Sequence, residues 1–319
     1  MKLPILAYCS FCCLAQEQPI FKTQAPLVVV PVTVSTKTGE SIWDLKKEDF
    51  QLLDNGHERT ITVEPWGTYE SHISLVVVVQ TSTLSKAALL KVKKVASMLD
   101  GITGDGGEVA VITADSDVET RLNFTKTWED IQETFEKLHA SGGNNGHILD
   151  GIDSAISLLA AKPQGDRRLI LLLSESRDRG SKAKASDVLT RAEQNNVTIY
   201  SASYSAYVTP FTAKASELQA TGDEGMNILA LFTEIAHATK QNTGKTLAAY
   251  TGGRQLSFET LHHLEEDLTE IGKEVHSQYQ LSFVPSSETT PVYHHLTVKV
   301  KDHPDLVIRA RPGYWNGPR

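Results

Sequence analysis

Ile73-Ser74-Leu75-Val76-Val77-Val78-Val79, running straight into Gln80-Thr81-Ser82-Thr83-Leu84, sets the architecture of the whole chain. A short, almost wholly apolar run that stops at polar residues suits a strand covered on both faces, in the middle of a parallel sheet. Leu169 to Leu173 repeats the signature, and Val109 to Thr113 and Val197 to Ala202 are further strands. Between them lie segments of helical periodicity: Ala87 to Leu99 (apolar at Leu90, Val92, Val95, Met98 and Leu99), Trp128 to Leu138, Ile148 to Ala161, and Lys184 to Gln194. Tyr204 to Gly225 is a polar insertion of surface-loop character. Ile228 to Ala238, Leu247 to Tyr250 (capped by Gly252-Gly253) and Leu261 to Val275 are the last helices. Alternating units of this kind predict an α/β domain over residues 72–275, built on a doubly wound, mostly parallel sheet.

The flanks are β in character. Leu27 to Val34 is rich in β-branched residues, and Gln51-Leu52-Leu53 ends at Asp54-Asn55-Gly56. Asn-Gly supplies the positive φ angles of a tight hairpin, with Thr60-Ile61-Thr62-Val63 expected as the returning strand. After the α/β domain, Gln278 to Phe283 alternates, His295 to Val300 sets Leu296, Val298 and Val300 on one face, and Leu306-Val307-Ile308 leads to Arg311-Pro312-Gly313-Tyr314. Neither segment, 25–68 or 276–315, buries enough apolar surface alone. The economical solution is one small β module formed from both, with the α/β domain inserted between.

Composition narrows the function classes. The 319 residues carry 40% hydrophobic and 22% charged side chains and a net charge of −8. That balance is globular, and without a basic run nucleic acid is not expected as a partner. The three cysteines are Cys9, Cys12 and Cys13, so the body of the chain has no disulfide framework, thiolate zinc site or cysteine nucleophile. Lys2, an apolar stretch and Cys13-Leu14-Ala15 before polar Gln16 read as a signal peptide over residues 1–15, cut after Ala15, with 16–24 as linker. A lipoprotein is the rival, but Tyr8 and Phe11, before Cys9 and Cys12, are not the small residues that such a cut prefers. A secreted or periplasmic protein follows. No other apolar run reaches the ~20 residues of a membrane helix.

Ile73 to Leu84 resembles the first strand and metal loop of a von Willebrand factor A domain, and Leu169 to Leu173 with Ser174-Glu175-Ser176 resembles its fourth strand and acidic loop. Ser141-Gly142-Gly143 with Leu149-Asp150-Gly151-Ile152 is similar to the glycine pair before the second metal-loop helix. The flanks, Val30 to Val34, Leu45 to Phe50, Tyr279 to Pro285 and Arg311 to Tyr314, are similar to an acidobacterial-type subgroup of this family. The resemblance spans about Ala25 to Trp315. It implies a metal-ion-dependent adhesion site at the carboxyl ends of the strands, where Asp-x-Ser-x-Ser, a Thr and an Asp hold Mg²⁺, a cation that wants near-octahedral oxygen ligands. Carried over, the Asp position holds Gln80, the first Ser is Ser82, the second is Leu84, the Thr position falls near Gly146 or Asn144, and the acidic position is Glu175. One ligand survives intact and one by substitution. The site is therefore expected to be degenerate, with no bound metal and no cofactor.

Other constellations are weaker. Asp115-Ser116-Asp117 follows a strand but reads as a solvated turn. Gly244-Lys245-Thr246 lacks the strand and partner glycine of a phosphate loop. Ser181-Lys182-Ala183-Lys184 has the spacing of a penicillin-interacting serine enzyme without its companion motifs and suits a helix start. His262, His263, His294 and His295 read as surface residues, the last two on opposite faces of a strand. No nucleophile, base and oxyanion donors come together, so no enzyme is expected. What remains is an exported module that binds a protein partner through loops at the carboxyl ends of its sheet, where open α/β sheets bind ligands. The candidate residues are Gln80, Ser82, Thr83, Asn144, Asn145 and Glu175. A Mg²⁺-dependent adhesin using the residual site, and a structural envelope component, are the alternatives; the oligomeric state is left open.

Overall fold

The computed structural model describes residues 27–64, 72–82, 86–141, 143–163, 165–204, 228–258, 260–286, 288–290 and 292–317. The expected signal peptide and linker, Thr83, Leu84 and the polar insertion after Tyr204 lie outside the described residues.

A six-stranded sheet forms the centre. Its strands are β5 (Ile73–Val79), β6 (Glu108–Ala114), β7 (Val118–Thr125), β8 (Arg167–Ser174), β9 (Val197–Tyr204) and β10 (Gln255–Phe258), in the order β10-β9-β8-β5-β6-β7. All neighbours run parallel except β7, which returns antiparallel to β6 at the edge. In register, Val77 of β5 faces Val111 on one side and Leu171 on the other.

The two-residue period of a strand divides the apolar runs between two cores. Val76, Val78, Ile112, Ile170 and Leu172 point to the layer of α4 (Ile148–Ala160), α5 (Ala185–Gln194), α6 (Ile228–Gln241) and α7 (Thr243–Thr251). Leu75, Val77, Val111, Leu169 and Leu171 point to the other layer. That layer is α1 (Lys86–Lys93), a 3₁₀ turn at Val95–Met98, α2 (Asp100–Thr103), α3 (Trp128–Glu136) and α8 (Leu261–Ser277). A continuous apolar strand thus buries both faces, and the α/β fold class is as expected. The single helix anticipated over 87–99 is instead broken into α1 and the 3₁₀ turn, and α2 follows beyond its expected end.

The flanking segments interleave into two four-stranded sheets. One has the order β13-β1-β11-β4, from β13 (Val307–Ala310), β1 (Val28–Ser35), β11 (Tyr279–Phe283) and β4 (Thr62–Glu64). The other is β14-β12-β2-β3, from β14 (Gly313–Asn316), β12 (Val292–Val300), β2 (Phe50–Asp54) and β3 (His57–Glu58). Val30, Val32, Leu52, Leu281, Leu296 and Tyr314 from both sheets share one core. Pro31 is tolerated in β1 because Val29 N–H, two residues away on the same edge, already meets the Asn196 side chain at 3.2 Å, and β13 pairing begins only at Val32.

Two expectations are corrected here. Asn55 (φ 48°) and Gly56 (φ 81°) do form the hairpin turn, but the returning strand is His57–Glu58; Thr62–Glu64 crosses to the other sheet and pairs with β11. His294 is not a surface residue: it is 5% exposed, its Nδ1 lies 2.7 Å from Asp54 Oδ1, and Tyr314 donates to the same carboxylate. Its side of β12 faces the sandwich core, which spacing alone did not reveal. Burial of Asp54 is outweighed by its hydrogen bonds and charges with His294 and Arg59, which hold its carboxyl below the usual value.

Candidate functional site

Four segments converge at the carboxyl end of the central sheet: residues 80–82 after β5, 115–117 after β6, 143–147 before α4, and 175–184 after β8. The chain moves from β5 to one side through β6 and β7, then crosses to β8 on the other side. The ends of β5 and β8 therefore flank the switch point, where an open sheet offers a crevice.

Gln80 fills it. The residue has no exposed surface, and its N–H continues the ladder to the Leu173 carbonyl at 2.9 Å. Its Oε1 accepts the Glu175 backbone N–H at 3.1 Å, and its Nε2 donates to Ser82 Oγ at 3.2 Å. Tyr204 at the end of β9 donates its hydroxyl to the Gln80 carbonyl at 2.9 Å. Burial, then the charges of Glu175 and Asp115, hold that phenol well above its ordinary range, so it remains a donor.

Gly146 closes the other side. It is buried, and a Cβ there would lie 2.6 Å from Gln80 Cδ and closer still to Nε2. The missing side chain at this position is what leaves room for the carboxamide. Gly146 also exchanges two backbone hydrogen bonds with Arg179, of 2.9 and 3.1 Å, which fasten the loop before α4 to the loop after β8.

Carboxylates brace the surrounding backbone. Asp115 accepts the backbone N–H groups of Thr81 at 2.8 Å and Ser82 at 2.6 Å, and also the Thr81 hydroxyl. The solvated-turn expectation is therefore wrong for Asp115, while Ser116 and Asp117 are exposed. A carboxylate saturated by backbone donors is a structural brace. Asp178 accepts Leu149 N–H at 3.0 Å and the Ser181 hydroxyl at 2.5 Å, and Asp150 accepts the N–H groups of Lys182 and Ala183. Ser181 thus ties the start of α4 rather than that of α5.

Of the anticipated residues, Gln80, Ser82 and the Glu175 backbone come together, while Asn144 and Asn145 lie exposed on the loop above them. The Glu175 side chain is partly exposed and pairs with Arg179 at 3.2 Å. Thr83 lies outside the described residues. Sequence reasoning missed Asp115, Tyr204 and the packing role of Gly146. Beside the loops, Asp117, His147, Asp150, Asp153 and Lys182 line a groove of about 390 Å³.

This arrangement does not fit a divalent cation. The Gln80 oxygen is committed to a backbone N–H, the Ser82 oxygen to the Gln80 amide, and the carboxamide itself stands between them. Among the described residues, no group of three or more His, Cys, Asp or Glu side chains is placed to share an ion.

No family model matches the chain, and no curated protein matches it in sequence. Solved structures match it in shape. It is similar to BatB from Bacteroides thetaiotaomicron at 13% identity and a TM-score of 0.44, over 63% of this chain and 99% of that one. It is similar to proximal thread matrix protein 1 of the mussel byssus, in the form with zinc in its MIDAS motif, at 13% identity and a TM-score of 0.45, over 67% and 48%. It is also similar to a von Willebrand factor type A protein from Catenulispora acidiphila, at 11% identity and a TM-score of 0.47, over 93% of this chain and 75% of that one.

Proposed function

We propose that this chain is an exported, non-catalytic binding module of von Willebrand factor A type, which holds a protein partner at the carboxyl-end loops of its central sheet without a metal ion. The observation that carries this is the Gln80 carboxamide, fully buried over Gly146 and bonded to Ser82 and Glu175 N–H. The Gln80 and Ser82 oxygens are turned to protein donors in this arrangement, which supports a site that works without an ion. The loops around it are fastened to one another by side-chain and backbone bonds that need no cation. A rigid loop platform with exposed Asn144, Asn145 and Arg179 and an adjoining groove is pre-organised for a partner, which lowers the ordering cost of binding.

The absence of catalysis is supported by the way potential nucleophiles and bases are employed. Ser82 and Ser181 are hydrogen-bonded within the loops. The Nε2 of His294, which pairs through Nδ1 with Asp54, is buried 3.9 Å from Glu288 and holds no hydroxyl among the described residues. The test is capture of a partner from the envelope and medium fractions with the wild type and with an Asn144→Ala/Asn145→Ala/Glu175→Ala variant, each with and without EDTA. A protein retained in EDTA by the wild type and lost by the variant is expected. A partner released by EDTA would instead favour a metal-dependent adhesin, and one retained equally by the variant would place binding elsewhere.

A further inference from the structure

The two parts of the molecule meet along a seam where α5 lies against β14. Tyr293 of β12 and Trp315 of β14 enter the same apolar core as Val188, Leu189 and Ala192 of α5. Trp315 stacks on Phe232 of α6 at 5.2 Å and meets Tyr293 edge-on at 5.3 Å. Into this layer the chain places two ionisable groups, Glu193 near the end of α5 and Arg311 ahead of β14, each 4% exposed.

Arg311 Nη1 donates to the main-chain carbonyl of Glu193 at 3.4 Å. Glu193 Oε2, Arg311 Nε and the Tyr293 hydroxyl have no hydrogen-bond partner among the described residues. The other titratable groups facing this point are Tyr250 of α7 and Glu234 of α6, with His295 of β12 edge-on to Tyr293 at 5.2 Å. A carboxylate with an unmet oxygen in such a layer is the unfavourable form and the neutral acid the favourable one.

We infer that this seam is a proton-operated latch: with Glu193 as a neutral acid the β sandwich is clamped on α5, and opening exposes the group to water and releases its proton. Burial raises the Glu193 carboxyl from 4.5 to about 8, and the Arg311 charge and the nearby Trp315 backbone N–H pull the other way without offsetting it. The closed seam therefore binds a proton that the open seam gives up between those values. Opening becomes easier as pH rises from 4.5 to about 8 and levels off outside that window. One proton corresponds to roughly a tenfold change in the opening equilibrium per pH unit.

Hydrogen exchange of the full chain, corrected for the intrinsic pH dependence of amide exchange, tests this at about pH 5.5 and about pH 7.5. Relative to Glu193→Gln, which keeps the opposite contribution of partly buried His295, the opening equilibrium at Tyr293 and Trp315 is expected to rise roughly 100-fold in the wild type. Equal changes in both proteins overturn the latch. Should Glu193→Gln not fold, the wild-type Glu193 carboxyl carbon resonance decides. A midpoint above about pH 7 supports the latch and one below it overturns it.

Discussion

Gln80 and Glu193 are both buried polar side chains at a junction between elements, and the junctions differ in how completely they are satisfied. At the carboxyl end of the sheet, both polar atoms of the Gln80 carboxamide are bonded, the Gln80 main-chain carbonyl is met by Tyr204, and Asp115 takes three donors from the adjoining loop. At the seam, Glu193, Arg311 and Tyr293 each keep an atom unmatched among the described residues. A fully matched network is costly to break because every loss strands a buried partner. An unmatched one holds by packing around it and tolerates apolar replacement. The first junction is thus a fixed platform, the second an adjustable contact.

The largest effect should come from putting a side chain where Gln80 lies. Gly146→Val inserts Cβ into the carboxamide and is expected to cost about 3 kcal/mol in denaturant unfolding, near the top of the overpacking range. Gln80→Ala in the same chain should recover part of that loss, with a coupling of about 1 kcal/mol or more. A Gly146→Val protein as stable as wild type would show that the two residues do not compete for one space. Asp115→Ala should cost about 2–3 kcal/mol, because two backbone N–H groups lose a charged acceptor, and Asp115→Asn should cost less. Faster amide exchange confined to Thr81 and Ser82 would locate the damage. At the seam, Glu193→Met with Arg311→Met should change stability by no more than about 1 kcal/mol, in either direction. A loss as large as that of Asp115→Ala would erase the distinction between the two junctions.

The sequence made the central sheet legible because β5 and β8 are short apolar runs with a polar residue waiting at each end, a pattern few other structures satisfy. β7 and β10 escaped notice for the opposite reason. Val118-Glu-Thr-Arg-Leu-Asn-Phe-Thr125 is an edge strand half in water, and Gln255–Phe258 is only four residues long. The hairpin turn at Asn55-Gly56 was readable from its φ requirement, but its partner strand was not. Thr62–Glu64 is as good a strand as His57–Glu58, and only the β11 edge, far along the chain, draws it away. At the site, the lost charge at Gln80 was visible in one residue. Its closure over Gly146 was not, because the space is made by a glycine on a different loop. Asp115 looked like a turn residue because nothing local shows which backbone donors will be brought to it.

Calorimetric and thermal-melting titration of the wild-type chain with Mg²⁺ and with Mn²⁺ tests most directly whether Gln80 stands where an ion would. A site filled to a hundredfold excess over its Kd would stabilise the fold by about 2.7 kcal/mol, well within reach of a melting curve. With the carboxamide in place, neither ion at millimolar concentration should shift the melting temperature beyond a matched ionic-strength control, and no saturable heat should appear. Saturable one-to-one binding in the micromolar range, lost in Glu175→Ala, would contradict the metal-free platform and leave a metal-dependent adhesion site in its place.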